Sequence, residues 1–151
     1  QIRPSLLFQD SIQAVKYSRD VSLVCVGPIE KMDGDKFLEF IENAPNIEYY
    51  SSMPIEEIAA NFCDKVDAFI SASSSENFGN VFVEASAMLL PIISSQVGIL
   101  SELTPGRDFV EIKGIRTPED IRKAIDEFYS LDCEAKLALA SNAKDKLLKK
   151  C

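Results

Sequence analysis

The sequence predicts an α/β domain in which a parallel sheet is covered by helices on both faces, three layers in all. Three observations point there. Short, mostly apolar strands alternate with amphipathic helical stretches along the chain, the pattern of βαβ units. One unit, Val66 to Pro91, runs from an apolar strand through a small polar loop with Gly79 into an apolar helix; parallel sheets build ligand sites this way, at the carboxyl ends of their strands. The 151 residues suffice for one domain with a full core, and 46% hydrophobic with 26% charged residues is ordinary for a globular chain.

The elements follow in order. Leu7, Phe8, Ser11, Ile12 and Val15 share a face at helical spacing, predicting a helix over 5–18 that Pro4 suits as a start. Val21 to Val26 reads as a strand closed by Gly27-Pro28. Such a domain ordinarily begins with a strand, so one is expected upstream, or residues 1–3 are its tail. A helix over 33–43 turns Phe37, Leu38 and Ile41 inward, and Asn46 to Tyr50 is a short strand. After the loop 51–53, Pro54 fits a first helical position, with Ile55, Ile58, Ala59 and Phe62 on the apolar side and Glu56 and Glu57 favouring the N-terminus. The strand 66–72 and the helix stopped by Pro91 come next, then a buried strand at 91–95, a turn at 96–98 and a helical turn at 99–103. Residues 109–112 read as an edge strand. Thr117-Pro118-Glu119-Asp120 is a helix start, with Thr as N-cap and acids in the first turn; its helix buries Ile121, Ala124, Ile125 and Phe128. A last helix over 132–149 carries Lys144, Lys146, Lys149 and Lys150 near its end, where they suit the helix dipole.

Composition narrows the function. A net charge of −8 is a poor match to a phosphate backbone, so nucleic acid is not the expected partner. No apolar run approaches the roughly 20 residues of a membrane span, and Gln1-Ile2-Arg3-Pro4 has no signal-peptide pattern. There is no histidine, and Cys25, Cys63, Cys133 and Cys151 form no CxxC pair, so neither a zinc site nor a histidine-activated nucleophile is expected. Cys25 and Cys63 read as small buried hydrophobes, which suits a reducing cytoplasm.

Two carboxylates stand out in the central loop and helix. The helix is so apolar that both its faces are expected to be covered, which makes Glu84 costly unless hydrogen-bonded. Two readings of it stay open: a glutamate stabilised by the helix N-terminus, or an acceptor for paired ribose hydroxyls. Glu76 is either a solvated loop residue or a ligand contact. Gly79 permits a positive φ or close backbone approach, and the amides of Phe78, Gly79, Asn80 and Val81 point out of a helix N-terminus, where they can meet ligand oxygens. The bland alternatives are a core anchor for Phe78, turn formers for Ser73, Ser74 and Ser75, a turn for Gly98, a surface charge for Glu102 and an apolar loop cap for Met53.

Glu76-Asn77-Phe78-Gly79-Asn80-Val81-Phe82-Val83-Glu84-Ala85 resembles the E-x-F-G-x-x-x-x-E-A signature of group 1 retaining glycosyltransferases, in the C-terminal, donor-binding domain of the GT-B fold. The flanks agree in order: Asp67 to Ser73, Leu90 to Ser95, Val97-Gly98 with Glu102, and Asn46 to Tyr50 with Met53-Pro54. The resemblance implies a Rossmann-like domain, one half of a GT-B fold, spanning 1–151, with the acceptor-binding N-terminal domain absent. It implies Glu76 as the catalytic-site residue touching the donor sugar near its 3- and 4-hydroxyls, Glu84 on the ribose, and the amides of Phe78, Gly79, Asn80 and Val81 on sugar hydroxyls or diphosphate. Met53 would lie beside the base and Gly98 would line the nucleotide-sugar site. The substrate would be a nucleotide sugar and the partner a glycan or glycolipid acceptor. No metal or other cofactor is expected, and location would be cytoplasmic, with any membrane association arising through the missing domain.

The sequence departs from the pattern in three places. The G-R-x-x-x-x-K-G phosphate clamp is not clearly present, Arg3 lying only loosely near its lysine; Ile99 stands where a second glycine is usual; Asn77 stands for the first glycine of E-G-F-G. Alone, such a half should bind donor weakly and transfer little. The competing readings are a non-catalytic nucleotide- or protein-binding module of the same fold, or an unrelated Rossmann-like or flavodoxin-like module. Gly27-Pro28-Ile29-Glu30 lacks G-x-G-x-x-G, which counts against a dinucleotide binder.

Overall fold

The computed structural model describes residues 4–16, 18–27, 37–39 and 41–150. In chain order they form α1 (Pro4–Val15), β1 (Leu23–Val26), β2 (Ile47–Tyr50), α2 (Ile55–Phe62), β3 (Phe69–Ser71), α3 (Asn80–Ala87) and β4 (Ile92–Ser94), then a 3-10 turn at Gly98–Glu102 and β5 (Val110–Glu111). The helices α4 (Pro118–Ser130) and α5 (Cys133–Leu147) and a 3-10 turn at Leu148–Lys150 complete the described chain. Residues 37–39 are also helical.

Among the described residues every strand pairing is parallel, as predicted, but the strands fall into two groups: β1 with β2, and β3-β4-β5 with β4 in the middle. In the second group Ile70 pairs with Ile93 and Ser71 with Ser94, while Ile93 also pairs with Val110. Strand residues alternate between faces, and here the alternation makes the layers. Ile93 and Val110 join Ile12 and Val15 of α1 and Ile121, Ala124, Ile125 and Phe128 of α4 in one apolar cluster. Ile92 and Phe109 join Phe82 and Ala85 of α3 and Ala143 and Leu147 of α5 in the other. All three β4 residues are therefore buried, which explains why this strand reads as a continuous apolar run. The first cluster also takes in Cys25 of β1 and Ile47 of β2, so one core connects both strand groups.

Several expectations shift. Phe37 is buried, but Leu38 is exposed and Ile41 only half-buried. No residue of α2 is fully buried, and Cys63 just after it is half-exposed. Cys25 is buried, and desolvation pushes its thiol up to about 12, so it acts as a neutral hydrophobe.

The start of α4 is a full capping box. The Thr117 hydroxyl accepts from the Asp120 N–H at 3.2 Å, and the Asp120 carboxylate accepts from the Thr117 N–H at 3.1 Å. The hydrogen bond from the Thr117 backbone is the main cause holding the Asp120 carboxyl below its usual range. Thr117→Ala should cost about 1 kcal/mol in a urea melt at neutral pH. The part of the cap that needs the Asp120 carboxylate is present above the ordinary carboxyl range and is lost as pH falls through the depressed value. An unchanged midpoint at neutral pH would contradict this.

The lysines at the chain's end do more than suit a dipole. Asn142, Lys146 and Lys150 are four residues apart, and they reach the turn at Gly98–Glu102 and the segment after it. Asn142 Nδ2 donates to the Arg107 carbonyl at 2.9 Å, Lys146 Nζ donates to Asp108 Oδ2 at 2.5 Å, and Lys150 pairs with Glu102. Asp108 is wholly buried, and its Oδ2 also accepts from the Thr104 N–H at 2.8 Å.

Candidate functional site

The site forms where β3 and β4 end side by side. β3 gives way to the loop 72–79, and α3 starts at Asn80 behind Gly79, whose φ of +88° no other residue adopts readily. A Cβ at Gly79 would stand 2.6 Å from Phe82 Cδ2, and Phe82 is a wholly buried core residue. Glycine is thus required both by backbone conformation and by the close packing of the first helical turn.

α3 buries Phe82, Ala85 and Ser86 and leaves Asn80, Val81, Glu84 and Ala87 exposed. Its apolar composition had predicted cover on both faces; instead α5 and the Ile92/Phe109 face of the sheet cover one side only. Glu84 therefore keeps its hydration and carries no burial cost. It lies one turn into the helix on the same open side as Val81, at 41% exposure. Among the described residues, the amide N–H groups of Phe78, Gly79, Asn80 and Val81 donate to no protein acceptor, as a helix N-terminus leaves them. Phe78 is 43% exposed, so its side chain is not a core anchor. Its carbonyl is the anchor instead, accepting the Ile99 N–H at 2.9 Å.

That bond ties the loop to the turn at Gly98. Gly98 has φ +53°, and a Cβ there would lie 2.7 Å from the Phe78 carbonyl oxygen and 3.0 Å from Glu76 Cβ. Gly98 backs the loop that bears Glu76. Ile99, in the place of a second glycine, is buried in the core and has no positive φ, so a side chain costs nothing there. Glu102 is exposed and held by Lys150.

Glu76 is half-buried, and its Oε1 accepts from the Ser73 hydroxyl at 3.0 Å. Ser73 Oγ lies 3.1 Å from Ser71 Oγ, and the Ser95 hydroxyl donates to the Ser73 carbonyl at 2.5 Å. The structure thus brings together Glu76, Phe78, Gly79 and Gly98, with Asn80, Val81 and Glu84 following on α3. Met53 sits half-buried in the loop after β2, in the other strand group. Arg3 lies outside the described residues, as do Pro28, Ile29 and Glu30. Ser73, expected as a turn former with Ser74 and Ser75, thus has a partner 22 residues away in Ser95, and nothing local in the sequence signals that bond.

Residues 5–130 match the family model described as glycosyl transferases group 1. The chain belongs to this family. A curated relative is the phosphatidylinositol N-acetylglucosaminyltransferase GPI3 subunit of Saccharomyces cerevisiae, 33% identical over 92 residues that span 57% of this chain and 19% of that protein. Among solved structures, Anabaena Alr3699/HepE in complex with UDP-glucose superposes with a TM-score of 0.79 at 19% identity, covering 99% of this chain and 42% of that one. The C-terminal domain of the group 1 protein LpcC from Francisella tularensis gives 0.77 at 21% identity, covering 99% of this chain and 80% of that one. The fold is therefore that of a glycosyltransferase C-terminal domain, and the chain matches about a fifth of the length of the curated relative. Among the described residues no helix is long and apolar enough to cross a membrane.

Proposed function

We propose that this chain is the donor-binding half of a glycosyltransferase that moves a sugar from a nucleotide sugar to a saccharide or glycolipid acceptor. The observation that carries the reading is the conjunction on α3 of four unpaired amides at its start with Glu84 on the exposed side one turn later. The amides and the helix dipole favour anionic oxygens, such as those of a diphosphate. A carboxylate can accept from two vicinal hydroxyls, as a ribose offers. Glu76, in the loop ahead of the amides, meets the glycosyl group. Met53 is assigned to the side of the base and Gly98 to the wall behind the sugar.

In the reaction the bond from the anomeric carbon to the diphosphate oxygen breaks, and the pair of electrons leaves with the nucleoside diphosphate. The acceptor oxygen forms the new bond and gives its proton to the departing diphosphate, and the family resemblance supports retention of configuration. The α3 amides take up charge developing on the leaving diphosphate, and no metal is part of this reading. The acceptor is assigned to a second domain of the parent protein, and the free thiols among the described residues support a cytoplasmic location.

The test is a titration of the chain with UDP, GDP and ADP and with UDP-glucose, GDP-mannose and ADP-glucose; UDP comes first because the Anabaena neighbour is in complex with UDP-glucose. One nucleotide should bind, and Glu84→Ala should weaken it about 10- to 100-fold, the value of one or two hydrogen bonds to a charged group. Binding of none, or an unchanged affinity in Glu84→Ala, would overturn the assignment.

A further inference from the structure

The sequence assigns no work to Ser73, yet proton accounting around it is restrictive. A hydroxyl has one proton, and a carboxylate only accepts. Because Ser73 Oγ donates to Glu76 Oε1, it must accept from Ser71 Oγ, 3.1 Å away, which fixes the direction of that bond. Ser71 sits on β3 opposite Ser94 of β4. Ser94 Oγ donates to the Ser95 carbonyl at 2.9 Å, and Ser95 Oγ donates to the Ser73 carbonyl at 2.5 Å. Ser94 and Ser95 are both buried. The hydroxyl of Ser73 is therefore oriented from Ser71 and its backbone is held by Ser95 just past β4, so the bond to Glu76 has a fixed origin. At its other end Glu76 is confined by Gly98, since even a Cβ there would stand 3.0 Å from Glu76 Cβ.

From this geometry we infer that Ser73 is a positioning residue that holds Glu76 in the rotamer that receives the donor sugar. The inference rests on the reading of Glu76 as a sugar contact. Glutamate has a long side chain with many rotamers, and fixing it before the ligand arrives removes an ordering cost from binding. One carboxylate oxygen is committed to Ser73, and no other hydrogen bond reaches either oxygen among the described residues. What remains is an acceptor for the hydroxyls of an uncharged polyol rather than a site for a second anion. Ser73 itself touches no substrate; it acts through Glu76.

The test compares each nucleoside diphosphate with its sugar ester: UDP with UDP-glucose, GDP with GDP-mannose, ADP with ADP-glucose. In wild type the sugar should tighten binding for one pair. Ser73→Ala should leave the bare diphosphate within about two-fold and cut the sugar's contribution by about ten-fold. Glu76→Gln should do the same, and Ser73→Ala with Glu76→Gln should be no worse than the weaker single variant. Ser73→Thr, which keeps the hydroxyl, should restore the sugar's contribution.

A second readout needs no ligand: the Glu76 carboxyl 13C resonance should move in Ser73→Ala and stay in Ser73→Thr. An unaltered resonance, an unaltered sugar contribution in Ser73→Ala, or equal weakening of diphosphate and sugar ester overturns the positioning role. If wild type binds none of the six compounds, the donor-site reading fails, and the role toward a sugar falls with it. A moved resonance in that case would leave Ser73 as a structural partner of Glu76 only.

Discussion

Gly98→Ala is expected to lower stability by about 2–5 kcal/mol and to displace the loop that carries Glu76. Two costs add. The backbone at φ +53° penalises any L side chain by roughly 1–2 kcal/mol. The new methyl would also stand 2.7 Å from the Phe78 carbonyl oxygen, a backbone atom that has no rotamer to change, and such overpacking typically costs about 1–3 kcal/mol. The Phe78 carbonyl has to move, and the Ile99 N–H loses its acceptor. A thermal melt should fall by roughly 4–20 °C for a domain of this size, with faster amide exchange at Ile99. Gly106→Ala is the control: its φ of +79° carries the same backbone cost, but nothing lies within 4 Å of the added Cβ. If both variants melt alike, the close approach of the two loops contributes nothing.

Lys146→Ala should cost about 2–3 kcal/mol. Asp108 is wholly buried and would keep only the Thr104 N–H on Oδ2, since Oδ1 has no partner among the described residues. Removing one member of a fully buried pair costs roughly 3–5 kcal/mol. The Lys146 side chain is 37% exposed, so water can take part of its place and the cost falls to or below the bottom of that range. The same substitution made in an Asp108→Asn background should cost less, because no charge is then stranded. Urea melts of the four chains in this cycle read the coupling directly. A cost below about 0.5 kcal/mol in the first step would mean that the ammonium is held by solvent rather than by Asp108.

Much of the fold was legible because local chemistry and tertiary structure agree. Thr117 with Asp120 marks the start of α4, and the uninterrupted apolar run at Ile92 and Ile93 marks a strand covered on both faces. The stretch from Glu76 to Glu84 marked the candidate site, as a polar loop whose glycine leads into a helix. What was not legible depends on neighbours far along the chain. Whether α3 is covered on one face or two is decided by where α5 docks, and that left Glu84 exposed rather than buried. Phe78 serves through its carbonyl, which composition does not reveal. The bond from Ser95 to Ser73 and that from Lys146 to Asp108 join residues 22 and 38 positions apart, and no periodicity within either segment encodes them.

The stripe of Asn142, Lys146 and Lys150 has a consequence for how the domain matures. A chain made from its N-terminus has the Glu76 loop and the turn at Gly98 in hand while α5 is still unmade. Glu102 waits a further 48 residues for Lys150, and the apolar cluster under α3 is short of Ala143 and Leu147 until the same moment. The turn at Gly98–Glu102 and the buried face of α3 therefore gain their last partners only when the end of α5 is made.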